Sequence, residues 1–402
     1  MQKVIKGLVQ KNNTKILFIV LDGLGGVPFD GRTELDTAAK PHLDALARTS
    51  ACGLHIPVAM GITPGSGPGH LALFGYDPVE WQIGRGVLEA LGLGIELRKT
   101  DVAIRVNYAT VENGLIKDRR AGRIPTDQSR KITEKLQGTL QKIDDVEVIL
   151  GPGMEHRFAA VLRFPEPLPP GSASIKDTDP QKEGKEPVPI IPQTPQAERV
   201  AQIVEKFVAK ITDVLKNEPI ANFILLRGIA QVPEIPHFEE TYGLKSLCIA
   251  VYPMYRGLAR LIGMDAPALQ GDVQDEIEFL KKHYHEYDFF FLHVKKIDSY
   301  GEDGNFKGKV SKIEEFDTFL PDILSLNPDV IIITGDHSTP AVLKSHSWHP
   351  VPVLLKSPYV LGQTCQIFTE RECIKGELGI FPTIHLMPLA LANAGRLKKF
   401  GA

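Results

Sequence analysis

Residues 328–340 read PDVIIITGDHSTP, a run of isoleucines that stops on an aspartate and a histidine side by side, Asp336 and His337. A continuous β-branched run bounded by Pro, Asp and Gly is the pattern of a strand buried on both faces of a parallel sheet. Two further runs share this plan. ILFIVLDGLGG (16–26) ends on Asp22, and YDFFFLHVKKID (287–298) ends on Asp298. Between the second and third runs, VSKIEEFDTFLPDIL (310–324) has the apolar spacing of a crossover helix, which makes a βαβ unit. The expected fold is therefore α/β, with a mostly parallel central sheet flanked by helices. Ligands of such sheets bind at the carboxyl ends of the strands, so Asp22, Asp298 and Asp336 are expected to converge although they are far apart in sequence.

Three convergent carboxylates repel one another and need cations. His337 and the later His346 make the donor set a mixed nitrogen and oxygen one, suited to Mn²⁺, Mg²⁺ or Zn²⁺. A single Asp after a strand is more often a helix N-cap or an Asx turn, but three at once, one beside a histidine, weigh against that reading. Composition narrows the field further. A chain of 402 residues with 43% hydrophobic and 24% charged residues buries a sizeable core and folds as two units. A net charge of -3 offers no global basic field for nucleic acid, so an anionic ligand must be held by a local cation cluster. The four cysteines, Cys52, Cys248, Cys365 and Cys373, form no CxxC pair and point to neither a disulfide framework nor a zinc knuckle. The N-terminal residues lack the apolar core of a signal peptide and no stretch approaches a membrane span, so the expected compartment is cytoplasmic.

GITPGSGPGHLALFGYDP (61–78) frames Ser66 between Gly65, Gly67 and Gly69, just ahead of a helical pattern. Small neighbours leave the hydroxyl exposed, and a helix N-terminus favours an anion there. A nearby metal would lower its pKa and make it a nucleophile. No GK[ST] follows, so this is not a nucleotide phosphate loop, and alone such a cluster is usually just a turn. His70 is a candidate acid/base, with a plain helix-start role as its alternative. His293, inside a buried strand pattern, reads as a hydrogen-bonded core histidine.

From about Lys99 the pattern changes to a hairpin turning at 112–114, further strand runs over 146–164, a Pro-rich stretch over 164–196 and a helix over 197–215. This reads as a smaller α+β domain, residues 98–243, inserted into a core formed by 1–97 and 244–402. The Pro-rich stretch is either an ordered loop or a mobile cover. Within the insert, DRRAGR brings Arg119, Arg120 and Arg123 into one turn, and Arg157 and Arg227 follow strand-like segments. Guanidinium groups make bidentate contacts with carboxylate and phosphate, although a solvated basic loop is the alternative for any one of them.

Taken in order, Asp22, the glycine-framed Ser66, Asp298 with Glu302, the Asp336-His337 pair and His346 resemble the metal-and-nucleophile pattern of the alkaline phosphatase superfamily. Within it, GSGPGHLALFGYDP, DRRAGR, DTDP, HVKKIDSYGEDGNFKGK, TGDHSTP and HSWHPVPVLL are similar to segments of archaeal-type 2,3-bisphosphoglycerate-independent phosphoglycerate mutases, from about Lys15 to the C-terminus. The resemblance implies an alkaline-phosphatase-like core with an inserted lid that closes over the site and excludes water. It also implies two divalent metals, Mn²⁺ first and Mg²⁺ or Zn²⁺ as alternatives. One would be held by Asp22, Ser66, Asp336 and His337, the other by Asp298, His346 and the residue at 302. Glu302 departs from the pattern, since related mutases of the other branch have His there. His349 rivals His346, which is preferred because it matches the ligand position ahead of the PVP segment. The implied reaction passes phosphate from 3-phosphoglycerate to Ser66 and back as 2-phosphoglycerate, with no 2,3-bisphosphoglycerate and no partner beyond the small-molecule substrate. Arg119, Arg120, Arg123, Arg157 and Arg227 would bind that substrate. Rival readings are a phosphatase, another phosphosugar mutase and a non-catalytic phosphosugar-binding protein, separable by product. Oligomeric state stays open.

Overall fold

The computed structural model describes residues 2–401. In chain order its strands begin with β1 (Ile16–Leu21) and β2 (Ala51–Ile56). There follow β3 (Asp101–Glu112), β4 (Leu115–Asp118), β5 (Lys142–Ile143), β6 (Val146–Pro152), β7 (Arg157–Arg163) and β8 (Phe223–Gln231). The last are β9 (Ser246–Ile249), β10 (Phe289–Val294), β11 (Val330–Thr334), β12 (Val351–Lys356) and β13 (Gly379–Pro382). Two compact units result: residues 1–82 with 235–402, and residues 83–234.

The first unit carries one sheet in the order β13-β2-β12-β11-β1-β10-β9, in which β12 alone runs against the others. Every residue of β1, β10 and β11 is buried. The reason is two-sided cover: Leu17, Ile19 and Leu21 pack into a core shared with helix residues such as Leu43, Ile313 and Phe316, while Ile16, Phe18 and Val20 are buried on the opposite face. Both β10 and β11 pair with β1 in parallel, Leu21 opposite Val294 and Val20 opposite Thr334. The crossover helix Phe306–Leu324 thus links two strands that lie on either side of β1 rather than next to each other. All three strands end at one edge.

The second unit is an antiparallel sheet, β4-β3-β7-β6-β5, with β8 on the remaining side of β3. Its own core includes Val102, Val106, Leu136, Phe158, Val204 and Phe207. The expected hairpin is present, turning at Asn113 and Gly114, both with positive φ (51° and 79°) as a tight two-residue turn requires. The unit boundaries fall at 82/83 and 234/235 rather than at 97/98 and 243/244. Helix Arg85–Gly92 belongs to the insert because Gly86 lets it sit directly on the sheet: a Cβ there would lie 2.3 Å from the Ala103 carbonyl oxygen. At the far end, Phe238 and Tyr242 pack into the first unit, where Tyr242 donates to the Gly75 carbonyl at 3.0 Å. The Pro-rich stretch is an ordered strap. Its prolines forbid a regular element, and its backbone groups are satisfied instead by pairing Thr178 with Leu226 of β8 and Ile175 with Pro192.

Candidate metal centre and anion cradle

The shared edge of β1, β10 and β11 delivers the acids. Asp22 directly follows β1, Asp336 lies two residues beyond β11, and Asp298 sits in the first turn of helix Lys296–Glu302 after β10. All three are buried. Gly23 makes the close approach possible: its φ is +70°, and a Cβ there would fall 2.7 Å from Thr339 Oγ1 and 2.9 Å from the Asp298 Cα. The Gly23 amide donates to Asp336 Oδ1 at 3.2 Å.

Two donor triads result, Asp22 with Asp336 and His337, and Asp298 with His337 and His346. Proton accounting fixes which imidazole atoms face them. Thr339 Oγ1 donates its single proton to Asp298 Oδ1 at 2.7 Å, so at its 3.0 Å contact with His337 it accepts from Nδ1–H. His337 therefore turns Nε2 toward Asp336 Oδ2 (3.1 Å) and Asp22 Oδ1 (3.4 Å). His346 repeats the arrangement, with Nδ1 donating to the Pro64 carbonyl at 3.0 Å and Nε2 3.6 Å from both Asp298 Oδ1 and Glu302 Oε1. Holding one ring nitrogen by a backbone or hydroxyl acceptor is how proteins orient metal-ligating histidines. Asp22 Oδ1, Asp336 Oδ2 and His337 Nε2 are buried and find no hydrogen-bond partner among the described residues. Convergent, unpaired oxygen and nitrogen donors of this kind fit divalent cations.

The surrounding charges keep the acids ionised. Burial and Asp336 push the Asp22 pKa up, but the His293 hydrogen bond (3.2 Å) and the Lys295 ammonium (3.1 Å) outweigh them and hold it below the usual range. Burial likewise opposes charge on Asp336, yet His337 and His70 hold it well below its ordinary value. Burial disfavours the His337 imidazolium, but Asp336 and Asp22 raise it to about 9. Cations already collect here: Lys295 reaches both Asp22 and Asp298.

Ser66 opens helix Ser66–Leu73 at its first position, half-buried, where backbone amides and the helix dipole favour an anion. Gly69 lets this helix pack on the Asp336 loop, since a Cβ would lie 2.5 Å from the Asp336 carbonyl oxygen. Tyr255 donates to Asp22 Oδ2 at 2.6 Å. His70 is 0% exposed, stacked on Tyr255 at 4.3 Å, with Nδ1 on the Ser66 carbonyl (2.8 Å) and Asp336 Oδ2 (3.1 Å). These contacts let the ring hold the serine turn and Asp336 in place. Glu302 is largely exposed, with His346 its one neighbour in the triads. His349 turns away to Ser347 and stacks on Trp348.

In the second unit the strand register builds a cradle. Arg105 of β3 pairs with Arg227 of β8, and Asn107 pairs with Arg157 of β7, so all four side chains share one face. Arg105 Nε, Arg157 Nε, Arg227 Nε, Asn107 Oδ1 and the neighbouring His156 Nδ1 are buried without hydrogen-bond partners among the described residues. Burial and the adjacent Arg157, Arg227 and Arg85 lower the Arg105 pKa against the pull of Glu89, and burial with Arg157 lowers His156 to about 4. So crowded a set of cations calls for an anion. The DRRAGR arginines separate: Arg119 is bound bidentately to Asp179 at 2.7 Å, while Arg120 and Arg123 are exposed. Asp177 of the DTDP turn accepts from the Gly228 amide at 2.7 Å and braces the segment that carries Arg227.

Several of these residues escaped sequence reasoning. Arg105, Asn107 and His156 sit within alternating strand patterns, Tyr255 on an apolar helix face, and Lys295 within the run after β10; only their strand register or a buried contact reveals them. Lys309 is a further case, fully buried and donating to the Gly25 (3.0 Å) and Thr339 (2.9 Å) carbonyls, so that it clamps the loops that follow β1 and β11.

Comparison with known proteins agrees with this geometry. Residues 47–221 match the family described as 2,3-bisphosphoglycerate-independent phosphoglycerate mutase. A relative from Aquifex aeolicus, described as a probable 2,3-bisphosphoglycerate-independent phosphoglycerate mutase, is 62% identical over 99% of this chain and 100% of its own length. One from Thermotoga maritima with the same description is 50% identical over 100% and 99%. Among solved structures, a Pyrococcus horikoshii protein superposes with a TM-score of 0.80 at 32% identity, covering 98% of this chain and 100% of its own. A cofactor-independent phosphoglycerate mutase from Thermoplasma acidophilum does so with a TM-score of 0.74 at 30% identity, covering 95% and 100%.

Proposed function

Because the chain belongs to the 2,3-bisphosphoglycerate-independent phosphoglycerate mutases, we propose that the acid-and-histidine centre of its first unit takes the phosphoryl group and, separately, that the arginine cradle of its second unit binds a carboxylate or phosphate anion. The protein is an isomerase that interconverts 3-phosphoglycerate and 2-phosphoglycerate. The observation that carries the first proposal is the gathering of the buried Asp22, Asp336 and His337 donors in the unit that also presents a serine at a helix N-terminus. Two divalent cations fit the donors, Mn²⁺ first with Mg²⁺ or Zn²⁺ as alternatives. Asp22, Asp336, His337 and Ser66 would hold one; Asp298, His346 and Glu302 would hold the other. When bound, they supply positive charge for the attacking and leaving oxygens of phosphoryl transfer.

The protein's own groups do the rest. Ser66 Oγ gives up its proton and attacks phosphorus as the bond from phosphorus to the glycerate 3-oxygen breaks; that oxygen takes up a proton. The glycerate stays bound and turns; its 2-hydroxyl gives up a proton and attacks the phosphoserine, the bond from phosphorus to Ser66 Oγ breaks, and Ser66 takes a proton back. The helix N-terminus stabilises charge on the phosphoryl oxygens, Tyr255 orients Asp22, and His70 fixes the serine turn. The reaction involves small molecules alone and no nucleic acid, and belongs in the cytoplasm. The test is to strip the protein with chelator, restore Mn²⁺ and follow 3-phosphoglycerate by ³¹P NMR, with Ser66→Ala alongside. Mn²⁺-dependent 2-phosphoglycerate is expected, falling by about a thousandfold or more in the variant. Free phosphate as the main product would make the centre a phosphatase, and full activity of Ser66→Ala would rule out the serine step.

A further inference from the structure

Sequence spacing separates the cysteines, but the fold gathers three of the four. Cys52 lies on β2, and Cys365 and Cys373 come from the segment 357–379, whose only helix before β13 is the four-residue Glu370–Cys373. Their sulfur atoms all lie within 4.8 Å of one another, and each residue is 0% exposed. None is in a disulfide. Cys52 Sγ also reaches the Ala47 carbonyl at 3.8 Å, and Cys365 Sγ the Glu372 carbonyl at 3.2 Å. Sulfurs that merely fill a core point among carbon atoms; these point at one another. The hydrogen bonds from Cys373 and Cys52 favour the Cys365 thiolate and lower its pKa, while the same contacts raise Cys373.

We propose that Cys52, Cys365 and Cys373 form a three-thiolate site for a soft metal ion of the Zn²⁺ or Cu⁺ class, composed of residues wholly separate from the oxygen-and-nitrogen centre. Thiolate sulfur selects such ions. A metal–sulfur distance of about 2.3 Å places ligand sulfurs roughly 3.8–4.0 Å apart, so the triangle needs to contract by less than about 1 Å. The irregular segment 357–379 can supply that movement. As each metal–sulfur bond forms, any proton still on that thiol leaves to solvent, with no change in oxidation state; the Lys375 ammonium offsets part of the resulting negative charge. The bound ion would staple this segment to β2, where it already packs closely: a Cβ at Gly376 would lie 2.1 Å from the Cys52 carbonyl oxygen.

The experiment is a titration of the chelator-stripped, reduced full-length protein with Cd²⁺, read by the ultraviolet sulfur-to-metal charge-transfer band, which oxygen and nitrogen ligands do not produce. One equivalent per chain should saturate the band. Cys373→Ala and Cys52→Ala should lose it, and Cys248→Ala, outside the cluster, should keep it. A wild-type protein with no band holds inert packed thiols and overturns the proposal. So does a band that survives in Cys373→Ala, and so does a count of two free thiols instead of four in the denatured, unreduced protein, which would mean a disulfide.

Discussion

The Nδ1 proton of His346 is a small feature with large consequences. Because Pro64 accepts it, Nε2 faces Asp298 and Glu302, whereas the nearby His349 spends its Nδ1 on Ser347 and lies partly open to solvent. Removing an outer partner of a ligand typically weakens metal binding 10–100-fold. His346→Ala should therefore weaken Mn²⁺ binding by at least about tenfold, while His349→Ala stays within about twofold, as read by isothermal titration. Equal losses in the two variants would remove His346 from the centre. At this scale the sequence offered both histidines as candidates and could not see Tyr255 or Lys309. An apolar helix face and a lysine in an amphipathic pattern look the same whether or not their polar ends are buried against a functional loop.

Among the elements, the pairing of β3 with β8 matters most, since it sets Arg105 beside Arg227. A charge-assisted hydrogen bond contributes about 1.5–3 kcal/mol, so Arg227→Met should lower kcat/KM by roughly 10–100-fold, chiefly through KM. The exposed Arg123, changed to Ala, should leave it within about twofold. Steady-state kinetics with 3-phosphoglycerate decide; a larger loss in Arg123→Ala would move the substrate to the DRRAGR turn. A second prediction concerns helix Val273–His283 of the first unit, where Glu276 accepts from the Val251 amide at 2.8 Å. Burial raises its pKa to about 8, with Asp272 and Asp275 adding to the rise against that hydrogen bond. An unfolded glutamate releases its proton near pH 4.3, so between about pH 4.3 and 8 the folded state holds more protons than the unfolded state. Stability from this group is thus full below that window, falls as pH rises through it and levels off above about 8. Glu276→Gln should flatten the urea-unfolding profile across the window and gain on the wild type toward high pH. Parallel profiles would show that Glu276 ionises normally.

The whole chain consists of two compact units, each with its own core. The proposed metal centre draws on the first unit alone. Mn²⁺ at a hundred times its Kd stabilises whatever binds it by about 2.7 kcal/mol, enough to raise that unit's unfolding midpoint by roughly 5–11 °C. Calorimetry with and without chelator should show one transition moving and a second, belonging to residues 83–234, standing still. A shift confined to the second would place the metal in the insert.

By itself, the sequence determined the strands, the edge where they end, the acids that follow them, the glycine-framed serine turn and the inserted α+β unit. These depend on local periodicity and on where an apolar run stops, and both are written along the chain. Tertiary structure decided the rest. It moved the insert's limits to 83 and 234, because a close glycine contact attached helix Arg85–Gly92 to the insert's sheet. It paired Arg119 with Asp179 and set Arg105 beside Arg227 and Asn107 beside Arg157, because strand register, not proximity in sequence, sets which side chains share a face. It sealed His70 beneath the serine, and it brought three scattered cysteines within 4.8 Å of one another. Such long-range meetings depend on packing between distant segments, which no local pattern records.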